Sequence, residues 1–201
     1  MTLDAEPTLL NEPEIRHRIW QNLQRATHDR HHEWRTPVLA TVGVDGFPQA
    51  RTVVLRHADQ KLGSLQIYSD SRSQKIADMS KKPEVLLVFW SKRLSWQLRV
   101  RATASVQSSG PMVDAVWSKV SQSAAAGDYL GPSAPGGKLP TTGAGTVTST
   151  GSEEVISGTL QKPHHLAIIT LQVQEMDWLE LARSGHRRAA MSAESWDWLV
   201  P

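Results

Sequence analysis

From Thr36 to Val106 the chain is a succession of short apolar and β-branched runs separated by turn-forming residues, and that succession limits the possible folds more than any other feature. The run Val38 to Val44 ends in Asp45, Gly46, Phe47 and Pro48. Asp-Gly between two apolar runs is a strong hairpin signal, because Gly supplies the positive φ that the turn requires. Gln49 to Arg56 is the next extended segment, and Leu65 to Ser69 reads as another strand. A polar, helix-compatible segment, Ser71 to Ser80, stops at Lys81-Lys82-Pro83, and two further strands follow at Val85 to Trp90 and Trp96 to Val106. The pattern predicts a mainly β fold with flanking helices: a mostly antiparallel sheet that curls into a small barrel over residues 36–108.

Upstream, Ile15, Ile19, Trp20 and Leu23 recur at helical spacing, with Pro13 in the first turn and Glu12 and Glu14 at the positive end of the helix dipole. An amphipathic helix is expected over 11–26, covering one end of the barrel. A second helix is expected from Pro111 to Ala126, with Met112, Val113, Val116 and Val120 on one face. Residues 131–158 turn to Gly, Pro, Ser and Thr and read as a long loop excursion. The chain then resumes at 166–191 with strands, Leu166 to Val173 leading on to Leu181, and a last short strand beginning at His186 after a turn at Ser184-Gly185. The tail from Ser195 to Pro201 is apolar enough to dock but carries no motif. A length of 201 residues suits one domain, 1–201, with a substantial core.

Several functions are set aside by composition. There is no cysteine, so disulfides, thiolate metal sites and cysteine nucleophiles are excluded. A net charge of +2 does not argue for a nucleic-acid surface. The apolar runs fall far short of the roughly 20 residues that span a bilayer, and the acidic start lacks the features of a secretory signal, so a cytoplasmic protein without membrane contact is expected. His28, His31 and His32 cluster with Asp29 and Glu33, but without cysteine or a helical pair of histidines they read as a solvated connector rather than a metal site. Gly131 to Lys138 imitates a phosphate loop, yet Pro132 occupies the position of the first Gly and Leu139 that of the Ser or Thr.

What remains is a set of positive groups near a helix start. Arg binds a phosphate through two parallel hydrogen bonds, and Lys adds a compact charge. Arg51, Arg56, Lys75 and Arg188 are the candidates, and Ser69, Ser71 and Ser73 surround the start of the 71–80 helix, whose free N–H groups favour an anion. Strict alternation puts Arg51 on one sheet face with Val53 and Leu55, and Arg56 on the other with Thr52 and Val54. Both serve one ligand only if the strand bends or Arg56 acts from its end. No Gly-x-Ser-x-Gly elbow and no paired carboxylates stand out, so any enzymatic chemistry is expected to come from a bound cofactor.

Arg51 to Arg56, Tyr68-Ser69, Gln74-Lys75, Gln97 and the Trp178 to Arg188 stretch together resemble the pyridoxamine 5′-phosphate oxidase family of FMN-binding split β-barrels, over about residues 36–108 and 166–191. The resemblance implies FMN as cofactor. Arg51 and Lys75 would hold its phosphate with Ser69 and Gln74, Thr52 would lie within the same motif, and Val53 and Val54 would run along the isoalloxazine. Arg56 and Tyr68 would stand near the flavin, with Gln97, Trp178 and Arg188 as further contacts, the last two supplied across a homodimer interface. His186 would be a substrate contact, and Lys119 and Ser123 would stand at substrate-phosphate positions. A small-molecule substrate would pass a hydride to flavin N5, with dioxygen as acceptor in the true oxidase reaction. The chain departs from the family at Ser184, where an Arg reaches the substrate, at Ala115, where a Tyr stands, and at Pro132-Ser133-Ala134, which lacks a Gln. FMN binding therefore follows more directly than oxidation of pyridoxamine phosphate. A non-catalytic flavin carrier or sensor, or a barrel that has exchanged flavin for another ligand such as haem, are the alternatives.

Overall fold

A computed structural model describes residues 10–138 and 163–201, so most of the 131–158 excursion lies outside the described residues. Helix α1 spans Glu12–His28, and a 3₁₀ turn at Glu33–Arg35 leads into β1 (Val38–Val42), β2 (Pro48–Thr52), β3 (Leu55–Asp59) and β4 (Ser64–Asp70). Helix α2 (Gln74–Lys81), β5 (Glu84–Ser91), β6 (Trp96–Gln107), α3 (Pro111–Val120) and a 3₁₀ segment at Ala124–Tyr129 follow. The chain closes with β7 (Leu166–Glu180), β8 (Arg187–Met191) and β9 (Trp196–Leu199).

The nine strands form one sheet in the order β2-β1-β5-β6-β7-β4-β3, with β8 on β7 and β9 on β8. Every pairing is antiparallel. β2 and β3 stand at opposite ends of this order, yet only Val53 and Val54 separate them in sequence. Three virtual bonds of about 3.8 Å reach at most about 11 Å, so the sheet must curl until its two edges nearly meet. It does not close by hydrogen bonds there, and the result is a split barrel. The single extended segment expected over Gln49 to Arg56 is thus two strands, broken where the chain crosses the split. The Val53 N–H still donates to Pro37 O at 3.0 Å, carrying the β1–β2 pairing one residue further before the chain crosses the split.

The inner face follows from alternation. Leu39, Leu55, Leu65, Ile67, Leu87, Leu98, Val100, Leu171 and Trp178 are buried there, and Ile15, Ile19 and Leu23 of α1 join the same core. Each such aliphatic side chain contributes about 1.5–3 kcal/mol on burial. Asn11 caps α1: its Oδ1 accepts from Glu14 N at 3.1 Å, and Glu14 Oε2 accepts from Asn11 N at 2.9 Å. The hairpin turn is as expected, with Gly46 at φ 87° and Gly43 N donating to Phe47 O at 2.8 Å. A smaller cluster of Val113, Trp117, Tyr129, Leu166 and Ile168 lies under α3, on the other sheet face.

Three expected boundaries differ. The second helix ends at Val120 rather than Ala126, and a 3₁₀ segment capped by Ser123 continues the path. The helix expected from Ser71 begins at Gln74, because Asp70 holds residues 71–73 in a turn: its Oδ1 accepts from Arg72 N at 2.8 Å and its carbonyl from Ser73 N at 3.0 Å. The tail is a ninth strand, pairing Leu199 with Arg188 and Trp196 with Met191, with the Arg16 guanidinium 5.3 Å from the Trp196 ring.

Candidate functional site

The start of α2 collects an unusual set of polar groups. Ser69 ends β4 facing inward, and Ser73 stands at the N-cap of α2; both are nearly fully buried. Their hydroxyls are 3.0 Å apart. Lys75 Nζ donates to Ser69 Oγ at 2.9 Å and to Ser73 Oγ at 3.2 Å. Ser73 spends its hydroxyl on this cluster and makes no cap bond to α2, leaving the first-turn amides without a side-chain acceptor. Lys75 has no ion-pair partner among the described residues. Burial and the neighbouring Arg51 charge together hold its ammonium below the ordinary lysine value of 10.5.

Arg51 reaches the same place from β2. Its Nη1 donates to Thr41 Oγ1 at 2.7 Å, and its Nη2 lies 3.6 Å from Asp78 Oδ2. Asp78 is completely buried and also accepts from Thr41 Oγ1 at 3.1 Å and from Gln74 Nε2 at 3.1 Å. Of the residues expected to bind phosphate, Arg51, Ser69, Gln74 and Lys75 are therefore brought together. Two cations face one carboxylate, so the cluster is net positive.

Sequence reasoning missed Thr41 and Asp78. The available signal for Thr41 was a hydroxyl at an inward position of β1, where Leu39 sets the apolar face. Asp78 lies one helical turn after Gln74, a spacing shared with any solvated helix face, so nothing in the sequence distinguished it.

The other candidates are placed elsewhere. Arg56 sits at the register shift of β3, on the far side of the split from Arg51. Its guanidinium lies 5.5 Å from the Tyr68 ring centre, and its Nε is buried without a partner. Tyr68 points to the face opposite Ser69 by alternation, and burial raises its phenol pKa. Tyr129, raised likewise by burial, is the other phenol facing Arg56. The alternation problem is thus resolved by the break at Val53–Val54: the two arginines flank the crossing point rather than sharing one strand. Thr52 is exposed at the end of β2, Val53 packs against the main core, and Val54 is half-buried.

Gln97, Leu179 and Arg188 are successive register partners across β6, β7 and β8, flanked by Trp90 of β5 and Leu199 of β9. This row runs across the outer sheet face, where Trp90 is 46% and Leu199 38% exposed. Arg188 donates to Asp177 at 3.1 and 2.8 Å, and Arg99 pairs with the same carboxylate. Burial opposes ionisation of Asp177, but these hydrogen bonds prevail and hold its pKa below the usual value. A groove of about 440 Å³, with Ala40, Val42, Leu86, Arg99 and Asp177 among its lining, adjoins the row. Trp178, expected as a flavin contact, is fully buried within this chain, edge-on against Trp96 with Arg187 over its ring, and its Nε1 has no hydrogen-bond partner among the described residues. His186, Lys119 and Ser123 are exposed; Ser123 caps the following 3₁₀ segment. None of these residues contacts the Lys75 cluster within the chain. His32, from the histidine connector, accepts from Trp34 N at 3.1 Å and contacts Asn22 Oδ1 at 3.2 Å.

Comparison with known proteins places this geometry. Residues 17–108 match the family described as pyridoxamine 5′-phosphate oxidase, FMN-binding domain. The chain is 33% identical over 95 residues to a pyridoxine/pyridoxamine 5′-phosphate oxidase of Thermosynechococcus vestitus, covering 47% of this chain and 43% of that one. It therefore spans less than half the length of the curated relatives it matches. Among solved structures, a pyridoxamine 5′-phosphate oxidase-related, FMN-binding protein from Nostoc punctiforme superposes with TM-score 0.68 at 19% identity, covering 96% of this chain and all of that one. PhzG from Burkholderia lata superposes with TM-score 0.63 at 16% identity, covering 98% and 95% of the two chains. These two show the shared fold. No helix among the described residues is long and apolar enough to cross a membrane.

Proposed function

We propose, from the match of residues 17–108 to the family described as pyridoxamine 5′-phosphate oxidase, FMN-binding domain, that this chain is an FMN-dependent oxidoreductase whose phosphate site is the cluster around Lys75. One observation carries the reading: a half-buried ammonium bonded only to two hydroxyls, beside a second cation and an uncapped helix start. A positive charge removed from water and given no counter-ion costs free energy unless a ligand supplies the anion. A phosphomonoester fits this donor set: Lys75 and Arg51 supply charge, Ser69, Ser73 and Gln74 supply hydrogen bonds, and the first amides of α2 add theirs.

FMN, held by these residues, would supply the redox chemistry as the acceptor of a hydride from a small substrate. The chain's own part is positioning and electrostatics. Val53 and Val54, in the crossing segment beside Arg51, would lie along the ring system, and Arg56 would offer a cation across the split. The Trp90, Gln97, Leu179, Arg188 and Leu199 row is an exposed, partly apolar strip that a second copy of the chain would cover. That copy would bring Gln97 and Arg188 to the flavin bound by its partner, which supports a homodimer.

A second reading, a flavin carrier or sensor without turnover, is favoured by the scattered, exposed positions of His186, Lys119 and Ser123. Titration with FMN, followed by flavin and Trp fluorescence, tests the first step. One FMN per chain, lost in an Arg51→Ala/Lys75→Ala variant, supports the site; no binding by the unaltered chain overturns it. Reduction of the bound flavin by an amine substrate, starting with pyridoxamine phosphate, and its reoxidation by dioxygen then separate enzyme from carrier.

A further inference from the structure

Asp78 is the most deeply buried charge of the site, and FMN binding as such makes no use of it. It lies wholly inside the molecule, yet it carries a carboxylate among groups meant for an anion. A carboxylate beside a phosphate site weakens anion binding through simple Coulomb repulsion. Its retention calls for a compensating role, and its contacts supply one. Oδ1 takes the amide of Gln74 at 3.1 Å, and Oδ2 takes the Thr41 hydroxyl at 3.1 Å with Arg51 Nη2 at 3.6 Å.

The Thr41 hydroxyl has one proton, and the carboxylate can only accept. That proton is therefore committed to Asp78, which leaves the hydroxyl lone pairs directed to Arg51 Nη1 at 2.7 Å. Asp78 thus ties α2, on which it holds Gln74 one turn away, to β1 through Thr41 and to β2 through Arg51. Both of its donors with phosphate roles would otherwise be free to rotate. Arg51 emerges from an edge strand and Gln74 from the first position of a helix, the two least restrained settings in the site.

We propose that Asp78, with Thr41 as its relay, is a positioning residue that fixes the Arg51 guanidinium and the Gln74 amide before the FMN phosphate arrives. The assignment rests on the FMN reading above. Fixing a rotamer-rich arginine in advance removes an ordering penalty of about 0.5–1.5 kcal/mol from binding. That is about two- to twelvefold in affinity, since each 1.4 kcal/mol is tenfold.

The experiment measures FMN affinity by fluorescence titration for the unaltered chain, Thr41→Val, Asp78→Asn, Arg51→Ala and the Thr41→Val/Arg51→Ala double variant. Thr41→Val is close to isosteric and keeps the fold measurable if Asp78→Asn proves too disruptive. Asp78→Asn removes the charge while leaving one acceptor oxygen for Thr41 and Arg51 and an N–H₂ group that Gln74 can meet by turning its amide, so it separates the carboxylate's repulsion from its positioning role. Thr41→Val is expected to weaken FMN binding about two- to twelvefold. Loss of a charge-assisted contact in Arg51→Ala weakens it about 10- to 150-fold, still within titration range. In the Arg51→Ala background, Thr41→Val should change affinity by less than about twofold, because the group it positions is gone. FMN binding by the unaltered chain with Thr41→Val within about twofold of it overturns the positioning role alone, as does an undiminished Thr41→Val effect without Arg51. Absence of FMN binding to the unaltered chain overturns the FMN reading itself, and the positioning role with it.

Discussion

Replacing Lys75 with Met removes the ammonium while keeping an unbranched apolar stem of similar length, and it separates what Lys75 does for the fold from what it does for a ligand. In the free chain two hydrogen bonds are lost, to Ser69 Oγ and Ser73 Oγ, each worth about 0.5–1.5 kcal/mol net. Neither hydroxyl is orphaned, because they remain bonded to each other at 3.0 Å. Relief of a half-buried, unpaired cation offsets much of this loss. The free variant should therefore be within about 1 kcal/mol of the unaltered chain, or about 2–4 °C in Tm for a chain of this size. FMN binding loses a charge-assisted contact of about 1.5–3 kcal/mol, which is about 10- to 150-fold in Kd. The assay is a pair of thermal melts, with and without FMN, beside a fluorescence titration. At an FMN concentration about 100 times the original Kd, the unaltered chain gains about 2.7 kcal/mol, and the variant should lose between about half and nine-tenths of that gain. A variant that binds FMN as tightly as the parent would refute the assignment of Lys75 to the phosphate. A large drop in Tm without FMN would instead make Lys75 a structural cation.

Other outcomes follow from the same structure. Because the folded-state pKa of Lys75 is lowered, its charge is lost as pH rises through a value below the ordinary 10.5; FMN affinity should fall on the alkaline side earlier than for a solvent-exposed lysine, and titrations of Lys75→Met across pH should lack that fall. Asp177 has a lowered folded-state pKa, so it contributes stability that is present above its unfolded value and lost as pH falls through the folded one; acid melts of Asp177→Asn should show less loss of stability below about pH 4 than the parent. Gly46→Ala places a Cβ at φ +87°, and although nothing crowds it, the backbone strain should lower stability by about 1 kcal/mol in a denaturant melt. Trp90→Lys, on the exposed row of β5, should shift the chain toward monomer in sedimentation velocity while leaving the core intact; an unchanged sedimentation profile that remains dimeric would remove the row from the interface.

How far the sequence went can be judged element by element. α1, the hairpin at Gly46, β4 to β6 and the antiparallel class were legible because each depends on local pattern: helical periodicity, an Asp-Gly turn, and apolar runs bounded by turn formers and a Lys-Lys-Pro stop. The identity of the ninth strand was not, since Trp196 and Trp198 pair only because β8 offers a free edge and arginines 16 and 187 lie over their rings. At the site, Arg51, Ser69 and Lys75 were legible from their charge and hydroxyl chemistry at a helix start and Gln74 from the family resemblance, and the four converge. The long-range partners, Thr41 and Asp78, were invisible for a physical reason: a hydrogen bond between residues 37 positions apart leaves no trace in local composition.

By itself, then, the sequence determined most of the strands and which cationic and hydroxyl groups are available, because these rest on backbone preferences and side-chain chemistry acting over a few residues. Only the tertiary structure decided where the barrel splits. The break at Val53–Val54 is forced by pairing β2 with β1 and β3 with β4, contacts no local signal specifies, and it sends Arg51 and Arg56 to opposite sides of the gap. It also decided that one buried carboxylate should face Arg51 and none should pair with Lys75 among the described residues, which leaves the positive charge that an anion can complete.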